Sequence, residues 1–174
     1  MLRSVLSPLI ITLTTVLGCQ VKGDSSLEEA AAAGKVDIVK QCISDGADLN
    51  TKNPSSGATP LIAAIVFGQD ETASLLIDAG ADIEAQDKQG STALMAAAFF
   101  CRTQILKLLL QKGAKKDVEN SDGATPFDTA SAPFSEVKPA YEFFQSVLGP
   151  FGLTLDLKRI ENTRPKIAAI LEAG

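Results

Sequence analysis

The chain has 174 residues, 45% of them apolar and 21% charged, a globular balance that supports one domain or two small ones. Histidine is absent, which excludes imidazole bases, histidine metal ligands and every Ser–His or Cys–His nucleophile pair. A net charge of −5, no Trp and one Tyr argue against a nucleic-acid partner, because neither counterion release nor an aromatic platform is on offer.

Residues 1–18 carry one charge, Arg3, followed by an apolar run from Val5 to Leu17 that contains Pro8. The run is shorter than the roughly 20 apolar residues needed to cross a bilayer, and a positive start before a short apolar stretch fits a secretory leader. The segment ends Val16-Leu17-Gly18-Cys19, which resembles the lipobox of bacterial lipoproteins. Val16 and Leu17 depart from the residues commonest there, and an ordinary signal peptide with Cys19 incidental is the other reading. The lipobox resemblance implies cleavage before Cys19 and acylation of its thiol and new amino terminus. Removal of residues 1–18 leaves 156 residues and, with Arg3 gone, a net charge of −6. Residues 19–26 would then be the tether, of which the polar stretch Gln20 to Ser26 reaches at most about 25 Å. The expected location is the cell envelope, lipid-anchored to the inner or outer membrane, facing the periplasm and not spanning the bilayer.

The next segment repeats. Gly57-Ala-Thr-Pro-Leu61, Gly90-Ser-Thr-Ala-Leu94 and Gly123-Ala-Thr-Pro-Phe127 open units 33 residues apart. Gly80-Ala-Asp82 recurs as Gly113-Ala-Lys115, and Gly46-Ala-Asp48 precedes Gly80 by 34 residues, with one extra residue in the loop around Asn53-Pro54-Ser55-Ser56. This pattern resembles the ankyrin repeat. The resemblance implies an all-α solenoid of about four helix pairs joined by β-turn loops, with an atypical helical C-terminal cap. The expected boundaries are an N-terminal repeat at 27–56, repeats at 57–89 and 90–122, and a last repeat with an insertion at 123–174.

Each motif residue has a physical task. Thr59, Thr92 and Thr125 precede helices and can cap their free N–H groups, while Pro60 and Pro126 suit the first helical turn. Gly46, Gly80 and Gly113 stand where second helices end in a left-handed turn. Ala63-Ala64 and Ala96-Ala97-Ala98 keep first helices thin; Leu75-Leu76-Ile77 and Leu108-Leu109-Leu110 supply the core of the second helices. The family's usual His is Ile62, Met95 and Asp128 here, and Cys101 replaces the Gly found at Gly34 and Gly68. Cys42 takes a buried Leu position. Cys42 and Cys101 lie two repeats apart, too far to bridge within one subunit, and are expected to be buried thiols acting as small hydrophobes. With Cys19 assigned to lipid, no thiol pair is expected.

In the last unit, Ile167-Ala-Ala-Ile170-Leu171-Glu-Ala-Gly174 resembles the second-helix ending at Gly80, which places an insertion of 28 residues inside the repeat. Residues 139–172 are expected to hold two helices. The inserted one begins at Pro139, ends at Gly149-Pro150 and turns Ala140, Tyr141, Phe144, Val147 and Leu148 to one face. It either caps the stack or serves as a docking element, and residues 150–164 read as irregular.

Ankyrin stacks bind proteins with a concave face of loop tips and first helices. The resemblance maps that face onto Val66, Phe67, Phe99 and Phe100 at helix ends, and onto Lys88, Gln89 and Ser91 at a loop tip. Phe67, Phe99 and Phe100 either form an exposed patch or turn inward to fill space left by the missing His. Asp45, Asp48, Asp78, Asp82 and Asp87 recur with the repeat, as turn and capping residues do, which leaves no paired catalytic carboxylates. No phosphate loop or metal spacing appears. The expectation is a non-enzymatic protein-interaction module without cofactor, or a structural subunit of an envelope assembly.

Overall fold

The computed structural model describes residues 26–173, and the Cys19 assignment lies outside them. The described elements are α1 (Leu27–Ala32), α2 (Val36–Ser44), α3 (Pro60–Phe67), α4 (Asp70–Asp78), α5 (Ala93–Phe99), α6 (Thr103–Gln111), α7 (Pro126–Ser131), α8 (Phe134–Leu148), a 3₁₀ turn (Gly149–Phe151) and α9 (Leu157–Ala173). There is no strand among the described residues. Helices α1, α3, α5 and α7 pack side by side in one layer, α2, α4 and α6 in a second, and α9 packs on α7.

The caps form as their chemistry requires. The hydroxyls of Thr59, Thr92 and Thr125 accept hydrogen bonds from the N–H groups of Ile62, Met95 and Asp128. Asp128 returns the bond, accepting from the Thr125 hydroxyl at 2.6 Å and from its backbone N–H at 2.9 Å. The hydroxyl bond first, and the backbone bond with it, holds the Asp128 carboxyl below its ordinary pKa.

Comparison of equivalent positions shows how the stack ends. Ile62 and Met95 are buried, whereas Asp128 is exposed; Ile65 and Ala98 are buried, whereas Ser131 is exposed. These two positions are therefore polar in the last repeat, as a terminal cap requires, while Phe127, the counterpart of buried Leu61 and Leu94, stays apolar and is 37% exposed.

Successive loop tips are joined through backbone. The Lys88 N–H donates to the Ser56 carbonyl at 3.0 Å, and the Ser121 N–H to the Gln89 carbonyl at 2.8 Å. Gly57 is needed at its tip: its φ is +74°, and a Cβ there would lie 2.8 Å from the Lys88 nitrogen. Asp48, Asp82 and Asp87 accept bonds from backbone N–H groups two residues ahead, which is the expected turn chemistry.

Three expectations need correction. First, α8 begins at Phe134, five residues before Pro139, which lies inside the helix. Pro133 starts the turn, and Pro139 comes late enough that its missing N–H removes one bond without stopping the helix. The end at Gly149-Pro150 holds. Second, residues 157–164 are helical, continuing through Pro165 in α9. Their apolar anchors, Leu157 and Ile160, pack on the core and carry the helix past its polar residues. Third, Cys42 is fully buried as expected, but its sulfur is in a disulfide. It is not joined to Cys101, which is the free cysteine among the described residues.

Candidate functional site

The residues expected at the binding face fall into two groups. Phe67 is half-buried at the end of α3, and Val66 beside it is half-buried too and rests on the core. Lys88 and Gln89 are exposed at their loop tip and Ser91 is half-buried. The Lys88 ammonium donates to the Pro54 carbonyl at 2.7 Å, so the side chain is oriented along the row of tips.

Phe99 and Phe100 are not part of an exposed patch. Phe100 is 3% exposed, and Phe99 stacks on Tyr141 of α8 with ring centroids 4.3 Å apart. Phe144 meets both rings edge-on, at 5.8 Å from Phe99 and 5.4 Å from Phe100. The inserted helix thus covers the aromatic end of α5. It turns Phe134, Val137, Tyr141, Phe144 and Leu148 inward at helical spacing, while Val147, assigned to that face from the sequence, points out.

The insertion is fastened by a polar network that the repeat pattern does not announce. Tyr141, fully buried, donates to the Phe99 carbonyl at 2.6 Å and accepts from the Arg164 guanidinium at 2.8 Å. Arg164 is 3% exposed and donates also to the Ala132 carbonyl at 2.8 Å. No carboxylate pairs with it among the described residues; carbonyl, phenol and the Tyr141 ring face, 6.0 Å away, stabilise its charge instead. Burial pushes the Tyr141 phenol up to about 12, against the pull of Arg164.

A second basic feature repeats down the stack. Arg102 reaches back and donates to the carbonyls of Ile65 and Val66 at the end of α3, at 3.1 and 3.2 Å. Arg159 donates to the Cys101 carbonyl, in the turn just past the end of α5, at 3.5 Å. A cation at a helix C-terminus satisfies orphan carbonyls and meets the negative end of the dipole.

Cys101 keeps the left-handed turn of the glycine it replaces, with φ +55° against +65° at Gly34 and +74° at Gly68. Its thiol is buried, and burial raises its pKa against the opposing charges of Arg164, Arg159 and Arg102. A protonated, covered thiol is a poor nucleophile. Among the described residues, no group of three or more His, Cys, Asp or Glu could hold a metal ion, and no helix is long and apolar enough to cross a membrane. The loop-tip edge offers oriented backbone, polar side chains at the tips and half-buried apolar side chains beside them.

Residues 27–122 match the family described as ankyrin repeats in three copies. Protein PhlB of Serratia liquefaciens is 40% identical over 66 residues, which is 38% of this chain and 29% of PhlB. The putative ankyrin repeat protein YahD of Escherichia coli is 43% identical over 58 residues, 33% of this chain and 28% of YahD. Protein phosphatase 1 regulatory subunit 12A of Mus musculus is 38% identical over 66 residues, covering 38% of this chain and 6% of that protein. The chain spans less than a third of the length of these relatives. With its repeats matched over more than half of its length, it belongs to the ankyrin repeat family.

Proposed function

We propose that the protein is a non-enzymatic protein-interaction module that holds a partner against its first-helix layer and loop tips, with Val66, Phe67, Lys88, Gln89 and Ser91 in contact and Phe99 and Phe100 as buried support. The observation that carries this reading is the loop-tip row. Its backbone is hydrogen-bonded tip to tip, so Lys88 and Gln89 are presented on a rigid edge at low entropic cost to a partner. The ankyrin repeats imply protein binding as the mode, and regulatory relatives such as protein phosphatase 1 regulatory subunit 12A support it. A photo-crosslinking residue at Gln89 of the intact protein in its native cells should give a discrete protein adduct that the same residue at exposed Lys40 does not. Equal adducts from both positions, or none, would overturn the assignment.

The envelope location rests on the Val16-Leu17-Gly18-Cys19 resemblance. On that reading the mature chain begins at Cys19 and partitions into detergent; a thioether-linked lipid there requires that Cys42, disulfide-bonded while Cys101 is free, take its partner from another chain. Mass spectrometry of the mature protein showing Cys19 unmodified, or joined to Cys42, would refute the anchor.

A further inference from the structure

Helix α8 has a second face. Phe143 is 62% exposed, Val147 46% and Phe151 76%, and they stand four residues apart. Pro139, also exposed, precedes Phe143 by another four. Pro139, Phe143 and Val147 form one ridge about 12 Å long on α8, facing away from Tyr141, and Phe151 follows beyond its end in the 3₁₀ turn. No charged residue interrupts it: Lys138 and Glu142 lie off the ridge and pair with each other at 3.4 Å. Glu136 stands at its N-terminal end, exposed and with no ion pair among the described residues.

We infer that this ridge is a docking surface for a single amphipathic helix of a partner protein, apolar along its contact stripe and basic where it meets Glu136. The geometry argues for a helix, because rows of residues spaced by four are what the grooves of another α-helix accept. The exposed part of the three large side chains amounts to roughly 350 Å² of apolar area. That is the size of a functional patch on a monomer and well below the roughly 800 Å² per subunit of a stable dimer. A second copy of this chain is therefore not the occupant. The lone carboxylate at the end of the ridge, with the net charge of −5, selects a basic helix and disfavours an anionic membrane surface. This surface is distinct from the loop-tip row and rests on the reading of the protein as a protein-binding stack.

The test uses the intact protein and two synthetic amphipathic helices of about five turns. They share one leucine stripe; one is flanked by lysines, its twin by glutamates. The lysine peptide should shift the amide resonances of residues 136–151 and bind about tenfold tighter than its twin. Phe143→Ser with Val147→Ser should weaken it by at least about tenfold with melting unchanged, and Glu136→Lys should reverse the preference between the peptides. Shifts confined to Val66, Phe67, Lys88 and Gln89 would overturn the ridge and leave protein binding standing. Concentration-dependent dimerisation lost in Phe143→Ser, or binding of phosphatidylcholine vesicles in place of the peptide, would overturn the stated occupant. No peptide binding at either surface would overturn the ridge, and if the Gln89 crosslink also failed the protein-binding reading would fall with it.

Discussion

Replacing Tyr141 with Phe tests the fastening of the inserted helix with one atom. The hydroxyl donates to the Phe99 carbonyl and accepts from the 3% exposed Arg164, so its loss leaves a buried carbonyl and a buried cationic N–H each short of a partner. Each such group costs about 1–3 kcal/mol, which puts the variant about 3–4 kcal/mol below the parent. With a urea dependence of about 2 kcal/mol per molar, the unfolding midpoint should fall by about 1.5–2 M. The alkaline side gives an independent check. Tyr141 ionises near pH 12 in the folded chain, above the ordinary 10, so its contribution is complete below pH 10 and lost as pH rises from 10 to 12. That loss is about 2–3 kcal/mol, and Tyr141→Phe should not show it. Because the chain has one Tyr and no Trp, tyrosinate absorbance reports this residue alone. A midpoint near pH 10 in the folded protein, or an unchanged urea midpoint in the variant, would refute the network.

Phe99→Ala should cost about 3 kcal/mol, since the ring packs on Tyr141, Phe100 and Phe144, whereas Phe67→Ala should cost less than half as much; equal melting temperatures would show that the two rings are alike. Gly68→Ala should destabilise by about 2–3 kcal/mol, because its Cβ would lie 2.5 Å from the Arg102 guanidinium and push it off the Ile65 and Val66 carbonyls. Gly80→Ala meets nothing within 4 Å and should cost only its positive φ, about 1–2 kcal/mol, so chemical denaturation of the pair separates contact from backbone strain. Cys101 should resist iodoacetamide at pH 8 in the folded chain and react fully in urea; rapid native labelling would contradict its covered, raised-pKa state.

The solenoid was legible because its signals are local and repeated. Thr59, Thr92 and Thr125 announce helix starts, and each glycine after a second helix announces its end, so one register error would have broken three repeats. The insertion has no such redundancy. Pro139 reads as a helix start because proline favours the first turn, yet Pro133 plays that part and Phe134 and Val137 pack the added turn against the core. Arg164 lies at the end of the stretch 150–164 that reads as irregular. Its burial follows from Tyr141 and Ala132 meeting it in space, 23 and 32 residues away along the chain. The binding face was half legible: position along the repeat marks Phe67 and Phe100 as equivalent, and the insertion, whose Phe144 packs on Phe100 and not on Phe67, distinguishes them.

The central claim, that this ankyrin stack works by holding another protein on its loop-tip edge, is tested most directly by quantitative affinity purification of the intact protein from its native cells. The parent should be compared with a Lys88→Glu, Gln89→Ala variant. A discrete protein should copurify with the parent and fall at least about tenfold with the variant while the melting temperature stays the same. Recovery of the same protein in equal amount with the variant, or of none with the parent, would contradict the account.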